Sequence, residues 1–176
     1  QFYSENNTTN YDIVFIPGVG SFSKASKLLK NQKLDLFLKE VKKNSHIFGI
    51  CLGMQILFSK GFENGESEGL NLIDGQVKLI KNEKEKIILP IVGYKKINIQ
   101  NNYLKFINNY DDEKFYFVHS FAGNTNDPKN ILCTTTDQNI DYCSGVIKER
   151  IIGTQFHPEK SGEVGLNFLK DFITSC

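Results

Sequence analysis

The sequence predicts an α/β domain: an open, mainly parallel central sheet flanked by helices and continued by a more antiparallel, β-rich extension. Three observations carry this. Short continuous apolar runs alternate with segments of helical period through the first half, the order strand–helix–strand–helix that marks a parallel sheet. Strand candidates then crowd the second half, with little helix between them. A chain of 176 residues, 40% hydrophobic, is long enough for one sizeable core and short for two, so 1–176 reads as a single domain.

Residues 12–16 read as a buried strand stopped by Pro17-Gly18. Over 23–38, Ala25, Leu28, Leu29, Leu34, Phe37 and Leu38 recur near helical spacing, with Asn31 as an interruption. His46–Ile50 is a second buried strand, and 52–58 reads as helix. Further strands are expected at 76–80, 87–91, 115–118, 131–135, 145–148 and 151–156. Residues 165–173 close the chain as an amphipathic helix striped by Leu166, Phe168, Leu169 and Phe172. The sign-alternating stretch 81–86 suits a solvated turn.

Charge excludes several functions. Lysine and arginine total 21 against 20 aspartates and glutamates, a balance of +1 that gives no electrostatic case for nucleic acid or an anionic membrane surface. Arg150 is the sole arginine, so no guanidinium cluster grips phosphates. No apolar run approaches the roughly 18 residues of a membrane span, and polar Gln1 to Asn10 has no signal-peptide core. Cys51, Cys133, Cys143 and Cys176 are unevenly spaced and share no short spacing with His46, His119 or His157. This pattern fits neither a disulfide framework nor a zinc site, and it suits a reducing, cytoplasmic compartment in which the Asn7-Thr8-Thr9 sequon is chance.

Gly49-Ile50-Cys51-Leu52-Gly53 stands where a buried strand meets a helix. It is a G-x-nucleophile-x-G elbow with cysteine as nucleophile, its glycines relieving crowding at a strained turn. A helix N-terminus also favours thiolate; a small buried hydrophobe is the plainer alternative for a lone cysteine. Gln155-Phe156-His157-Pro158-Glu159 offers a base and an orienter. In extended chain His157 and Glu159 would point the same way, the alternative being a surface histidine near a solvated carboxylate. Pro17-Gly18-Val19-Gly20 follows the first strand, and its glycines let backbone N–H groups converge as an oxyanion hole requires. Its faint likeness to a dinucleotide fingerprint lacks the last glycine and the acidic partner. His119-Ser120 ends a strand, where neighbouring side chains face opposite ways, so its backbone matters more than a Ser-His dyad.

Together these pieces resemble the class I (triad) glutamine amidotransferases, a flavodoxin-like fold, and within them the HisH glutaminase subunits of imidazole glycerol phosphate synthase. The likeness rests on Pro17 to Phe22, Gly49 to Gln55 and Gln155 to Ser161, with support from Glu68 to Gly75 and Tyr116 to Ser120. It implies Cys51 as nucleophile on the glutamine amide, His157 as proton shuttle and Glu159 as its orienter. It implies oxyanion donors at Val19, Gly20 and Leu52, and substrate contacts at Gly18, Gln55, Glu63, His119 and Ser120. Tyr94, Tyr116 and Lys160 fall at family positions near the partner interface and ammonia exit. No cofactor or metal is implied; the partner would be a HisF-like (β/α)8 barrel synthase subunit.

Two departures stand out. Family members carry a strand and helix with an Asp-Tyr-Gly-x-Gly-Asn stretch ahead of the segment that opens this chain, so that strand and helix are expected to be missing. Where the family usually reads Met-Gly-Trp-Asn, this chain has Val92-Gly93-Tyr94-Lys95. That change leaves open a paralogous amidotransferase feeding ammonia to surface-sugar amidation. A cysteine peptidase or thiol hydrolase built on the same elbow, and a non-catalytic binding module, are the readings from other classes.

Overall fold

The computed structural model describes residues 11–82 and 86–176; the sequon at 7–9 and the middle of the 81–86 stretch lie outside the described residues. In chain order come β1 (Ile13–Ile16), α1 (Phe22–Asn31), α2 (Leu34–Val41), β2 (His46–Ile50), α3 (Leu52–Ile56), β3 (Phe58–Gly61), β4 (Ser67–Glu68) and β5 (Ile73–Leu79). There follow β6 (Ile91–Lys96), β7 (Asn98–Ile99), β8 (Lys114–His119), β9 (Phe121–Thr125), β10 (Ile131–Asp137), β11 (Ile140–Lys148), β12 (Ile151–Thr154) and α4 (Gly162–Ser175).

The central sheet has the order β1-β2-β12-β11-β10-β7. β1, β2 and β12 run parallel, and β11, β10 and β7 continue the sheet antiparallel. Alternation along the strands divides the core into two faces. Phe48 of β2 and Ile152 of β12 point to one side, where fully buried Phe168 and Phe172 of α4 cover them, the Phe48 and Phe172 rings 4.6 Å apart. Ile47 and Ile151, one residue earlier on each strand, point to the other side and pack with Phe22, Leu38, Leu52 and Ile56 from α1, α2 and α3. A second sheet, β4-β3-β5-β9, and the antiparallel pair β6-β8 complete the fold.

Three expectations are corrected. The helix over 52–58 stops at Ile56, and Phe58 opens β3 between β4 and β5; a short apolar run does not by itself distinguish helix from strand. The strand placed at 87–91 begins only at Ile91 and runs to Lys96, because Pro90 has no N–H to give to a ladder. β12 ends at Thr154, short of the expected 156. The 23–38 segment does break after Asn31, with Lys33 in the left-handed region (φ 54°) between α1 and α2.

α3 lies so close to β1 that a Cβ added at Gly53 would sit 1.7 Å from the Ile16 carbonyl oxygen. One added at Gly49 would meet the Gly53 carbonyl oxygen at 2.5 Å. Since the obstacle is backbone on both sides, relief needs α3 to move off the sheet. Gly53→Ala is therefore expected to cost about 3 kcal/mol or more, at the upper end of overpacking penalties. For a chain of this size that lowers the melting temperature by roughly 6–12 °C, checked by thermal unfolding.

Candidate active site

The three parallel strands are neighbours, so their carboxyl ends share one edge of the sheet, the usual place for a site in an open α/β fold. β1 delivers the Gly18–Gly20 loop, β2 delivers Cys51, and β12 leads through Gln155 to His157. A cavity of about 290 Å³ opens there, with Val19, Gly20, Cys51, Leu52, Gln55, Glu63, His119, Ser120 and His157 among its walls.

Cys51 occupies the turn between β2 and α3 with φ 54° and ψ −110°, a conformation that costs a non-glycine residue about 1–3 kcal/mol and persists only where its surroundings impose it. They do: the Cys51 N–H donates to the Thr154 carbonyl at 2.7 Å, and the Gln55 N–H donates to the Cys51 carbonyl at 3.0 Å. The side chain is only 8% exposed. Burial pushes the thiol up to about 11, with the Glu159 carboxylate adding to the rise. The Leu52 N–H, the Lys160 ammonium and the Gln155 amide favour thiolate but do not offset burial. The thiolate expected from the helix N-terminus is thus not the resting form, since α3 is five residues long and its N-terminal field loses to desolvation.

His157 is 2% exposed, and its Nδ1 lies 2.7 Å from Glu159 Oε1. A carboxylate only accepts, so Nδ1 carries the hydrogen and Nε2 is the basic nitrogen. That Nε2 is buried and has no hydrogen-bond partner among the described residues. The pair does not arise from extended chain, as expected from spacing, but from a 3-10 turn over Pro158–Lys160, with His157 held by its N–H donating to the Tyr116 carbonyl at 2.8 Å.

The other candidates divide. Glu63 accepts the Phe22 N–H at 2.7 Å, so one carboxylate oxygen ties down the start of α1 while the residue lines the cavity. Gln55 is 6% exposed and gives its amide hydrogens to the Phe121 carbonyl and to Gln155 Oε1, each at 3.0 Å. His119 is buried, which lowers its imidazole to about 4 and leaves it neutral, with Nδ1 2.9 Å from the Phe121 carbonyl. Neighbouring Ser120 accepts the Ile80 N–H through its backbone carbonyl at 3.0 Å. Gly18 is the exception: it does not line the cavity but packs on Leu52 behind the loop, bordering a separate pocket of about 320 Å³. Tyr94, Tyr116 and Lys160 lie together beside the site, not in it. The Tyr94 hydroxyl donates to the Lys160 carbonyl at 3.1 Å, and its ring meets that of Tyr116 edge-on at 5.7 Å.

Sequence reasoning passed over Gln155 and Ser161. Gln155 is fully buried and donates to Cys51 Sγ at 3.6 Å; its place two residues before His157 on the same strand end was the available signal. Ser161 Oγ donates to the His157 carbonyl at 2.6 Å and accepts the Tyr116 N–H at 2.9 Å.

Since the Cys51 shift is upward, its thiolate fraction in the free chain falls about tenfold for each pH unit below the midpoint. Iodoacetamide labelling, followed at the Cys51 peptide by mass spectrometry, is expected to accelerate about tenfold per unit from pH 7 towards pH 10. A rate that levels off near pH 7 would contradict the burial described here.

The family model for glutamine amidotransferase class-I matches residues 2–176. Imidazole glycerol phosphate synthase subunit HisH of Chlorobaculum tepidum is 38% identical over 93% of this chain and 81% of its own length. The protein of the same name from Sulfolobus acidocaldarius is 40% identical over 90% of this chain and 77% of its own. Among solved structures, PurLQS from Thermotoga maritima shares the fold, with TM-score 0.67 and 19% identity over 97% of this chain and 82% of that one. The chain belongs to the class-I glutamine amidotransferase family, and within it to the HisH subunits.

Proposed function

We propose that the chain, acting as one domain, hydrolyses L-glutamine to glutamate and ammonia through a Cys51 thioester. The reading rests above all on one arrangement. His157, its Nδ1 held by Glu159 and its buried Nε2 without a partner among the described residues, lines the small cavity that also holds the strained Cys51.

His157 Nε2 takes the Sγ proton as sulfur attacks the side-chain amide carbon, so a neutral resting thiol is a competent start. The oxyanion draws on backbone N–H groups of Leu52 and of the Val19–Gly20 segment. His157 then hands its proton to the leaving nitrogen, ammonia departs, and a water deprotonated by the same imidazole cleaves the thioester to glutamate and free thiol. Gln55 and Glu63 contact the substrate's amino-acid end, with the His119–Ser120 backbone along the wall. A cavity of about 290 Å³ suits one free amino acid and argues against a peptidase, which needs room for a chain.

The ammonia passes to a HisF-like (β/α)8 barrel partner, docked over Tyr94, Tyr116 and Lys160, that makes imidazole glycerol phosphate in histidine biosynthesis. The relatives' names favour this acceptor over sugar amidation. The four cysteines are free and no helix among the described residues is long and apolar enough to cross a membrane; we place the reaction in the cytoplasm.

Cys51→Ala is expected to lower glutamine-dependent synthesis by the reconstituted pair at least about 10³-fold while leaving synthesis from added ammonium salts intact. Equal loss of both would place the acceptor site on this chain. Thioester formation, followed by single-turnover mass spectrometry, is expected to stop in His157→Asn and to slow less in Glu159→Gln. The reverse order would mean that the two roles are exchanged.

A further inference from the structure

The hydrogen bonds around Cys51 form a chain with a fixed direction. It begins at the Phe121 carbonyl, which only accepts. The Gln55 atom 3.0 Å from it must therefore be Nε2, and the second hydrogen of that same nitrogen points to Gln155, also at 3.0 Å. The receiving atom of Gln155 must then be Oε1, which turns its Nε2 towards Cys51 Sγ, 3.6 Å away. A backbone carbonyl two side chains distant thus decides that the sulfur is met by a donor. The chain has no competing solvent, since Gln155 is 0% and Gln55 6% exposed. Gln55 is placed for this by the helix: its N–H closes the first turn of α3 on the Cys51 carbonyl, one turn along the same face. With both amide hydrogens committed, what Gln55 has left for a ligand in the cavity is its carbonyl Oε1.

We propose that Gln155 is a positioning residue for the nucleophile. Oriented through Gln55, it holds a hydrogen-bond donor against Cys51 Sγ that favours the thiolate over the thiol, and it couples the sulfur to the side chain that contacts substrate. A donor to an ionised group contributes more than one to a neutral group, so the bond strengthens as the proton leaves for His157. It also makes Gln55 a dedicated acceptor, suited to a substrate N–H and unsuited to a substrate carboxylate. The proposal rests on the glutaminase reading for the role of Cys51.

The test uses the full chain with Gln155→Met, which keeps length without polarity, and Gln155→Asn, which withdraws the amide by one methylene. Both are read by the pH profile of iodoacetamide labelling at the Cys51 peptide and by glutaminase kcat with the partner present. The expected result is a labelling midpoint raised in Gln155→Met, read as labelling several-fold slower at every pH from about 7 to about 10, and kcat lowered about 10- to 100-fold. Gln155→Asn, the milder change to the fold, is expected to shift both in the same direction, with a melting temperature near wild type. An unchanged labelling midpoint in either variant that melts like wild type would overturn the proposal. Labelling needs no glutamine turnover, so the relay is tested even if Cys51→Ala retains hydrolysis and the glutaminase reading fails. If Cys51→Ala is inactive but the midpoint does not move, the relay alone is wrong.

Discussion

The parallel pairing of β1, β2 and β12 is the constraint on which the rest depends. Its register sets Ile16 beside Gly49 and Gly49 beside Gly153, so the three strands reach the same edge within a residue of one another. The hydrogen bond from the Cys51 N–H to the Thr154 carbonyl carries the ladder one residue past the strand and into the turn. A slip by one residue would invert every side chain about the sheet, sending Phe48 away from α4 and Ile47 away from α1. The two-sided core therefore fixes the positions of Cys51 and His157.

The site is also dry. Burial raises the Cys51 thiol, depresses the His119 imidazole and removes solvent from the Gln55–Gln155 pair. In such surroundings a charge is costly and a hydrogen-bond donor is effective. Cys51 is consequently neutral at rest, and Glu159, the carboxylate on His157 Nδ1, is the more solvated member of its pair, with a side chain 42% exposed against 2% for His157.

Much of this was legible in the residues. The elbow, the glycine loop and the His-Pro-Glu segment are local, and each sits at a strand end whose apolar run is easy to see. What escaped depends on distant partners. β4 and β7 are two residues each and exist only because β3 and β10 offer them a ladder. β6 is displaced past Pro90, and Phe58 passes for helix because nothing adjacent reveals β5 beside it. The neutral state of Cys51 is hidden for a related reason: spacing displays the helix end, whereas desolvation comes from the strands and side chains that close over it.

The path from Tyr94 to His157 gives the surface a consequence of its own. Tyr94 is 54% exposed, yet its hydroxyl holds the Lys160 carbonyl that ends the turn presenting Glu159, and Tyr116 beneath it carries the carbonyl that holds His157. The outermost aromatic is thus the head of a short lever whose other end is the His157 imidazole. If a partner docks over Tyr94, Tyr116 and Lys160 as proposed, any change that suits a new neighbour also shifts the imidazole beneath it. The residues at 92–95 accordingly bear on the His157 turn as well as on the surface.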